Sequence, residues 1–371
     1  MIYIYAFLSS TFFAYLASRS KNRILIFIWS AISILIPSIL GGLRAYGVGT
    51  DTKVYGFPDA MAALRSPDLY SFLQTRNMRE SGYAILCYAV MKTLGHENWC
   101  YFAYQLLIVS CTYIGAYRHK DKISLPFTML VWYLMFYNLT YNAIRQAMAI
   151  SIIFMEMDKL ETKQYLKFSI AVLIASLFHY SAYIAFVMLL GAHIVVMSKN
   201  VQKNLWLKSI VLYGALLSAV FARPIIGLLI NTVPAISKYS YALTSAKFSE
   251  TAAQNTLVVI MLGELLMFLL YRKKADQVFL HTSGIGNIEF YQFNILVCVV
   301  FQLAIRFFVG RVLLYSEFIN IIAIAAIPNF VKEKHLRFMV AMVVLAVMTY
   351  YWVRMYAVLH LHETWPYKAI I

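Results

Sequence analysis

Arg19-Ser-Lys-Asn-Arg23 is followed by ILIFIWSAISILIPSILGGL, residues 24–43, and then by Arg44-Ala-Tyr-Gly-Val-Gly-Thr-Asp-Thr-Lys-Val-Tyr55. Between a basic cluster and a polar segment lies an uncharged run, and about 20 such residues are what an α-helix needs to cross roughly 30 Å of hydrocarbon. The stretch reads as a transmembrane helix that delivers a guanidinium, Arg44, a carboxylate, Asp51, and the bendable backbone of Gly47 and Gly49 to a membrane surface.

The same pattern recurs along the chain. Hydrophobic residues make up 62% of the sequence, charged residues 13%, and the mean hydropathy is +0.70, values that exclude a soluble domain. A net charge of +16 would point to nucleic acid in a soluble protein. In a membrane protein the position of each Lys and Arg decides its meaning instead, and no nucleic-acid partner is expected.

Six clusters lie in or beside short connections: Arg19/Lys21/Arg23, Arg118/Lys120/Lys122, Lys159/Lys163/Lys167, Lys199/Lys203/Lys208, Arg272/Lys273/Lys274 and Lys332/Lys334/Arg337. Together they hold more than half of the 32 basic residues. The positive-inside rule assigns such clusters to the cytoplasm. Threading all six onto one side predicts an all-α, polytopic integral membrane protein of about twelve transmembrane helices with both termini outward. The spans are approximately 2–18, 24–43, 97–117, 124–141, 143–158, 166–179, 181–197, 205–222, 255–272, 288–306, 311–330 and 337–357. Residues 1–371 then form a single transmembrane domain with outer loops at approximately 44–96 and 223–254. Gly82 to Leu94 is also apolar, but a crossing there would invert everything after it, so it reads as an interfacial or re-entrant helix on the outer side.

Met1 to Ser18 lacks a preceding basic residue and is followed by Arg19/Lys21/Arg23, the charge order of an uncleaved first helix with its N-terminus outside. Cys87, Cys100, Cys111 and Cys298 show no metal spacing, and ordinary packing is their expected role; a Cys87–Cys100 pair on the oxidising side is the alternative.

The outward side is where the positive-inside rule predicts few basic residues, yet Arg44, Arg145, Arg306 and Arg311 all map there, each at a helix end flanked by apolar residues. Each could snorkel to headgroups or pair with a carboxylate. Four on one face suit a phosphate or diphosphate, because the planar guanidinium donates a fork of hydrogen bonds and stays charged at any physiological pH. His179 lies between two apolar runs joined by almost no loop, at the outer end of a tight hairpin, where it serves as a proton acceptor or as a helix-end cap. Asp51 is close to Arg44 in sequence and either shapes the loop by an ion pair or acts on substrate. Glu264 and Glu317 lie inside predicted spans, where interhelical partners are expected. The 28 tyrosines fit interfacial belts first and sugar stacking second. No metal site or cofactor-binding motif is present: no HExxH, GxxxxGK[ST] or GxGxxG spacing occurs.

Several short segments, in order, carry a resemblance. Gly42-Leu-Arg44, Val48-Gly-Thr-Asp-Thr52 and Tyr55, Glu80-Ser-Gly-Tyr83, Asn142-Ala-Ile-Arg145-Gln146, His179-Tyr-Ser-Ala182, Arg306/Arg311 with Tyr315, and Trp365-Pro-Tyr367 resemble the EpsG family of Wzy-type polysaccharide polymerases. Glu80-Ser departs from the family, which often has proline after the acid.

The resemblance implies a GT-C-like membrane fold and a metal-independent glycosyltransferase in the bacterial inner membrane, with its active site facing the periplasm. Such an enzyme joins oligosaccharide repeat units carried on undecaprenyl diphosphate, making O-antigen (lipopolysaccharide), capsule or exopolysaccharide, with the growing glycan as donor. Its partners are membrane lipids, a flippase and a Wzz-type chain-length regulator, and it needs no cofactor. The roles that follow are Arg145 with Arg306 or Arg311 on the diphosphate, His179 as base for the acceptor hydroxyl, and Arg44, Asp51, Tyr55, Gln146 and Tyr315 in substrate binding. Two other classes remain: a metal-dependent glycosyltransferase using a polyprenyl-phosphate sugar, which also keeps acids such as Asp51 in its first outer loop, and a transporter or flippase for the lipid-linked oligosaccharide, which would need an arginine-lined cavity.

Overall fold

In the computed structural model, the apolar run 24–43 forms α2 (Arg23–Gly42), opened by Asn22, whose side chain accepts the Ile24 N–H. It lies beside α1 (Ile2–Arg19), joined by reciprocal bonds between Ser10 and Ser33: each hydroxyl donates to the other's carbonyl, at 2.6 and 2.8 Å. Small hydroxylated residues let two apolar helices approach closely where lipid offers no hydrophobic driving force. The structure describes residues 1–75, 80–197, 228, 248–271, 273–275, 278, 288–304 and 310–370, without the side chains of 191–197, 248–254, 288–289, 297, 300–304 and 310–312. The span expected at 205–222 lies outside the described residues, as does most of the outer loop expected at 223–254.

The described residues are helical, without a strand; one isolated bridge joins Arg44 and Ala369. Among the described residues, four helices are long and apolar enough to cross a membrane: Arg23–Gly42, Glu97–Arg118, Leu313–Phe330 and Lys334–Val358. Shorter apolar helices are Ile144–Met155, Tyr165–Ser176, Tyr180–Leu190 and Asn255–Leu270. The chain divides into two compact units, Met1–Phe186 with Met348–Ile371, and Val187–Val347.

The first unit continues with α3 (Phe57–Arg65), α4 (Leu69–Thr75), α5 (Ser81–Leu94), α6 (Glu97–Arg118), α7 (Leu125–Trp132), α8 (Ile144–Met155), α9 (Met157–Glu161), α10 (Tyr165–Ser176) and the start of α11 (Ile184–Met197). At about 1.5 Å per residue, α6 runs the thickness of a membrane, and its ends define the unit's two ends. At the first, the Asn98 amide donates to the carbonyls of Gly42 and Arg44. At the second, Arg118 pairs with Glu156 at 2.9 Å and Asp158 at 3.1 Å. Beyond it, buried Glu161 accepts from Lys122 at 2.9 Å and contacts His119 at 3.2 Å. Two of the basic clusters, 118–122 and 159–163, thus share the end opposite Arg44.

The apolar stretch 82–94 is α5, and it starts and finishes at the Arg44 end. The Gly82 N–H donates to the Leu177 carbonyl at 2.8 Å, just past α10, while one residue, His96, separates the Gly95 cap of α5 from α6. Gly82 permits that approach: a Cβ there would lie 3.0 Å from the Leu177 Cβ and 3.1 Å from its carbonyl oxygen. The 44–96 loop is accordingly mostly short helices. Cys87 in α5 and Cys100 in α6 are buried free thiols, with the Cys100 Sγ 3.8 Å from the Cys87 carbonyl.

The span read as one helix over 124–141 is instead α7, a π-helical turn at Tyr133–Tyr137 and a 3-10 turn at Asn138–Tyr141. The i→i+5 bonding of a π turn widens the helix; Tyr133, Tyr137 and Tyr141, spaced four residues apart, lie ring to ring along one aromatic face. Tyr133 stacks on Phe7 at 5.0 Å, the Tyr137 hydroxyl donates to Pro37 O at 2.5 Å, and the Tyr141 hydroxyl donates to Tyr137 at 2.8 Å.

The second unit holds helices Phe248–Leu270, Ile288–Ala304, Gly310–Ala326 and most of Lys334–Trp352. The Asn294 amide donates to Ser316 O at 3.0 Å and Asn320 Oδ1 at 2.5 Å. Glu264 and Glu317 are both buried. The partner expected for Glu264 is absent among the described residues: neither carboxyl oxygen has a hydrogen bond.

Candidate functional site

The 44–55 segment folds against the N-terminus of α8, which carries Arg145 in its first turn. A helix leaves its first backbone N–H groups without intrahelical partners. Here Asp51 reaches in from elsewhere in the chain, its Oδ2 accepting the Ile144 N–H at 3.2 Å. Gly49, at φ +91°, makes the turn that delivers it, and lies so close to Tyr141 that a Cβ would sit 2.7 Å from that side chain.

The Arg44–Asp51 ion pair considered from sequence is not formed. Arg44 is 1% exposed, and its guanidinium donates to Thr52 Oγ1 at 3.1 Å and Gly41 O at 3.0 Å. It lies between two aromatic faces, 4.5 Å from the Tyr101 ring and 4.4 Å from the Tyr141 ring. Cation–π attraction from desolvated rings, about 2 kcal/mol or more, offsets part of the cost of burying the charge. Arg44 therefore braces the loop onto α6 and the 3-10 turn. Asp51, so close in sequence, is turned away from it to the start of α8.

The C-terminal tail completes the brace. Ala45 N–H donates to Lys368 O, Ile370 N–H to Leu43 O and Gly49 N–H to Glu363 O. The Tyr367 hydroxyl reaches Leu40 O at 2.7 Å, and exposed Lys53 and Glu363 pair at 2.5 Å. Trp365 lies among Tyr3 and Trp352, so the Trp365-Pro-Tyr367 motif anchors the tail under the loop.

Arg145 is part-buried. Its Nη1 donates to Glu80 Oε2 at 2.5 Å, with the guanidinium 4.6 Å from the Tyr55 ring and 5.5 Å from the Tyr83 ring. Tyr83 in turn donates to the buried Asp59 carboxylate at 3.1 Å. The other oxygen of Glu80, Oε1, lies 3.9 Å from His179 Nε2. His179 opens the 3-10 turn Tyr180–Tyr183: its Nδ1 accepts the Ser181 N–H at 3.1 Å and contacts the Ser181 hydroxyl at 2.6 Å. With Nδ1 accepting a backbone proton, the neutral ring carries its hydrogen on Nε2, toward Glu80.

From sequence, Glu80 entered only within the Glu80-Ser-Gly-Tyr83 segment of the family resemblance and was given no role. It stands before α5, where Gly82 lets that helix abut Leu177, and this closeness sets it between Arg145 and His179. Burial lifts its carboxyl above the ordinary carboxylate range, against the pull of the Arg145 guanidinium. An acid so placed can take up a proton nearer neutral pH than an exposed glutamate. The signals in the sequence were that segment and a charged residue just ahead of a Ser-Gly helix start.

Of the other sequence candidates, Tyr55 is beside Arg145, while Gln146 is buried in the first turn of α8. In the second unit, Arg311 lies in the first turn of helix Gly310–Ala326 and Tyr315 is buried in the same helix. Arg306 lies outside the described residues, as does the Arg311 side chain. Among the described residues, no three His, Cys, Asp or Glu side chains converge as a metal would require.

The sequence model of the EpsG family matches residues 27–369, nearly the whole chain, and the protein belongs to that family. No curated protein and no solved structure matches it.

Proposed function

We propose that this EpsG-family chain is a polysaccharide repeat-unit polymerase of about twelve transmembrane helices. It works at the periplasmic face of the inner membrane on oligosaccharides carried by undecaprenyl diphosphate. A hydroxyl of the incoming lipid-linked unit attacks the anomeric carbon at the reducing end of the growing glycan; the bond from that carbon to the diphosphate breaks, and its electron pair leaves with the polyprenyl diphosphate. Arg145 binds the departing anion, the Glu80–His179 pair receives the acceptor proton, and Tyr55 offers an aromatic face to substrate beside the guanidinium. Arg44, Asp51 and Gln146 hold these groups in place. Arg306, Arg311 and Tyr315 enter the proposal on the sequence alone.

The observation that carries this reading is Glu80 spanning Arg145 and His179, which joins an anion-binding guanidinium to a proton-accepting pair within one cluster. Stabilising a leaving group by a fixed cation and removing a proton from an attacking hydroxyl are the two demands of glycosyl transfer between lipid-linked sugars.

The test is polymer formation by the purified protein from a defined undecaprenyl-diphosphate oligosaccharide. The reading expects glycans of two or more repeat units, lost in Arg145→Ala. A change in the sidedness of the substrate without lengthening would identify a flippase, and activity lost in EDTA and restored by a divalent cation would identify the metal-dependent transferase.

A further inference from the structure

The Arg145–Glu80 pair poses a problem for any reaction that uses both residues. A guanidinium engaged by a carboxylate at 2.5 Å is a poorer anion receptor, because the two negative groups compete for one fork of donors. A carboxylate engaged by a guanidinium is a poorer base, because an opposite charge within about 4–6 Å favours its ionised form. As it stands, each member masks the other.

The surroundings of Glu80 indicate how the mask is removed. Its two oxygens face different partners: Oε2 takes the Arg145 hydrogen bond, while Oε1 looks toward His179 Nε2 across 3.9 Å, too far for a hydrogen bond and near enough to become one by a small rotation. The Tyr180 backbone N–H also bonds the carboxylate, so Glu80 keeps a donor when Arg145 turns away. Asp59, held by Tyr83, adds negative charge to both.

We infer that diphosphate binding unmasks Glu80. The anion takes the Arg145 donors, and the released carboxylate rotates toward His179 Nε2–H and becomes the base for the acceptor hydroxyl. The inference rests on the proposed polymerase reading and adds an order of events: the base is armed only when a lipid diphosphate occupies Arg145, so an acceptor is not activated while no donor is bound. The acceptor O–H proton goes to Glu80 as the acceptor oxygen bonds to the anomeric carbon. The polyprenyl diphosphate departs with the electron pair of the broken bond, held by Arg145.

The distinguishing consequence is opposite in sign for binding and for turnover. The experiment measures farnesyl diphosphate affinity of the purified full-length protein in detergent, and polymer formation by the same preparations, for wild type, Glu80→Gln, Glu80→Asp and Arg145→Ala. Removing the competing carboxylate charge in Glu80→Gln is expected to tighten farnesyl diphosphate binding by about tenfold, within the usual range of coupling between two ligands of one group. Turnover is expected to fall by about 100-fold or more, as for loss of a general base. Glu80→Asp, which keeps the charge but shortens its reach to Arg145, should bind with intermediate affinity. That series also reports that the variants are folded, since a disordered site does not gain affinity. Arg145-dependent binding that is unchanged or weaker in both Glu80 variants overturns the inference and leaves the polymerase reading standing. Binding that survives Arg145→Ala unchanged overturns the assignment of Arg145 to the diphosphate, and the inference with it.

Discussion

The Asp51 carboxylate closes the helix that carries Arg145: its Oδ2 accepts the Ile144 N–H at 3.2 Å, across a sequence separation of 93. A side-chain cap contributes about 0.5–2 kcal/mol, and a negative charge at a helix N-terminus adds a favourable dipole interaction. Asp51→Ala is expected to lower thermal stability in detergent and to cut polymer formation, because the first turn of α8 loses its fixed direction. Asp51→Asn keeps an oxygen acceptor and should retain most of both. Equal, severe loss of activity in the two variants at normal stability would assign Asp51 to the chemistry instead of the cap.

Arg145→Lys is expected to be nearly as inactive as Arg145→Ala. Lysine keeps the charge but loses the planar fork that meets Glu80 and lies over the Tyr55 ring. Loss of one preorganised donor at a developing anion costs about 10²–10³ in rate. The measurement is the initial rate of glycan lengthening at saturating substrate; a lysine variant within a fewfold of wild type would show that point charge suffices.

Those two residues also show what the sequence made legible. The long uncharged run 24–43, and the boundaries set by basic clusters, mark α2 and α6 to within a residue or two, because membrane spans are specified by composition. The role of Glu80 was hidden for the opposite reason. Its meaning comes from residues near 145 and 179 that meet it only after α5 is pressed against the end of α10. Sequence proximity was misleading for Arg44 and Asp51, since Gly49 turns the chain between them and each side chain finds a better partner elsewhere. The π turn in the 124–141 run was hidden as well: nothing in an apolar segment announces a change of backbone hydrogen-bond register.

Gly82→Ala tests the contact that places Glu80. The added methyl would meet the Leu177 Cβ at 3.0 Å and its backbone carbon at 3.2 Å, and the backbone, unlike a flexible side chain, has little room to give. Overpacking of this kind costs about 1–3 kcal/mol, and the strain is expected to move α5 away from α10. Activity should therefore fall more than stability does. Thermal unfolding and glycan lengthening measured on one preparation separate the two; a fully active Gly82→Ala protein would mean that Glu80 keeps its place without the close approach.

The pH dependence of turnover follows from the buried position of Glu80. Burial raises its pKa, Arg145 lowers it less, and Asp59 raises it further; among the described residues Arg145, His179, Asp59 and Tyr83 are ionisable groups of this cluster. The ionised carboxylate is the active base, so activity is lost as pH falls through this raised value, and the acid limb should lie above the ordinary glutamate value of about 4.3. With the diphosphate neutralising Arg145, the limb for bound enzyme should shift higher than that for free enzyme, so kcat should show the higher acid-limb pKa and kcat/KM the lower. A residual Glu80→Gln activity should lack this limb. A limb that persists unchanged in that variant belongs to another group.

The tail offers the last test, because it joins the 44–53 loop through backbone rather than through side chains. Removing residues 363–371 deletes the acceptors of the Ala45 and Gly49 N–H groups, the Ile370 N–H bond to Leu43 O and the Tyr367 bond to Leu40 O. Each such bond contributes about 0.5–1.5 kcal/mol net, and the groups left behind are at the loop that sets Asp51 on α8. By contrast the Lys53–Glu363 pair is exposed on both sides, so screening by solvent leaves it little to contribute. The truncated protein is therefore expected to lose amide protection over residues 44–53 in hydrogen exchange and to lose turnover with it, while Lys53→Ala changes neither. Unaltered exchange in the truncated protein would show that Arg44, between Tyr101 and Tyr141, holds the loop unaided.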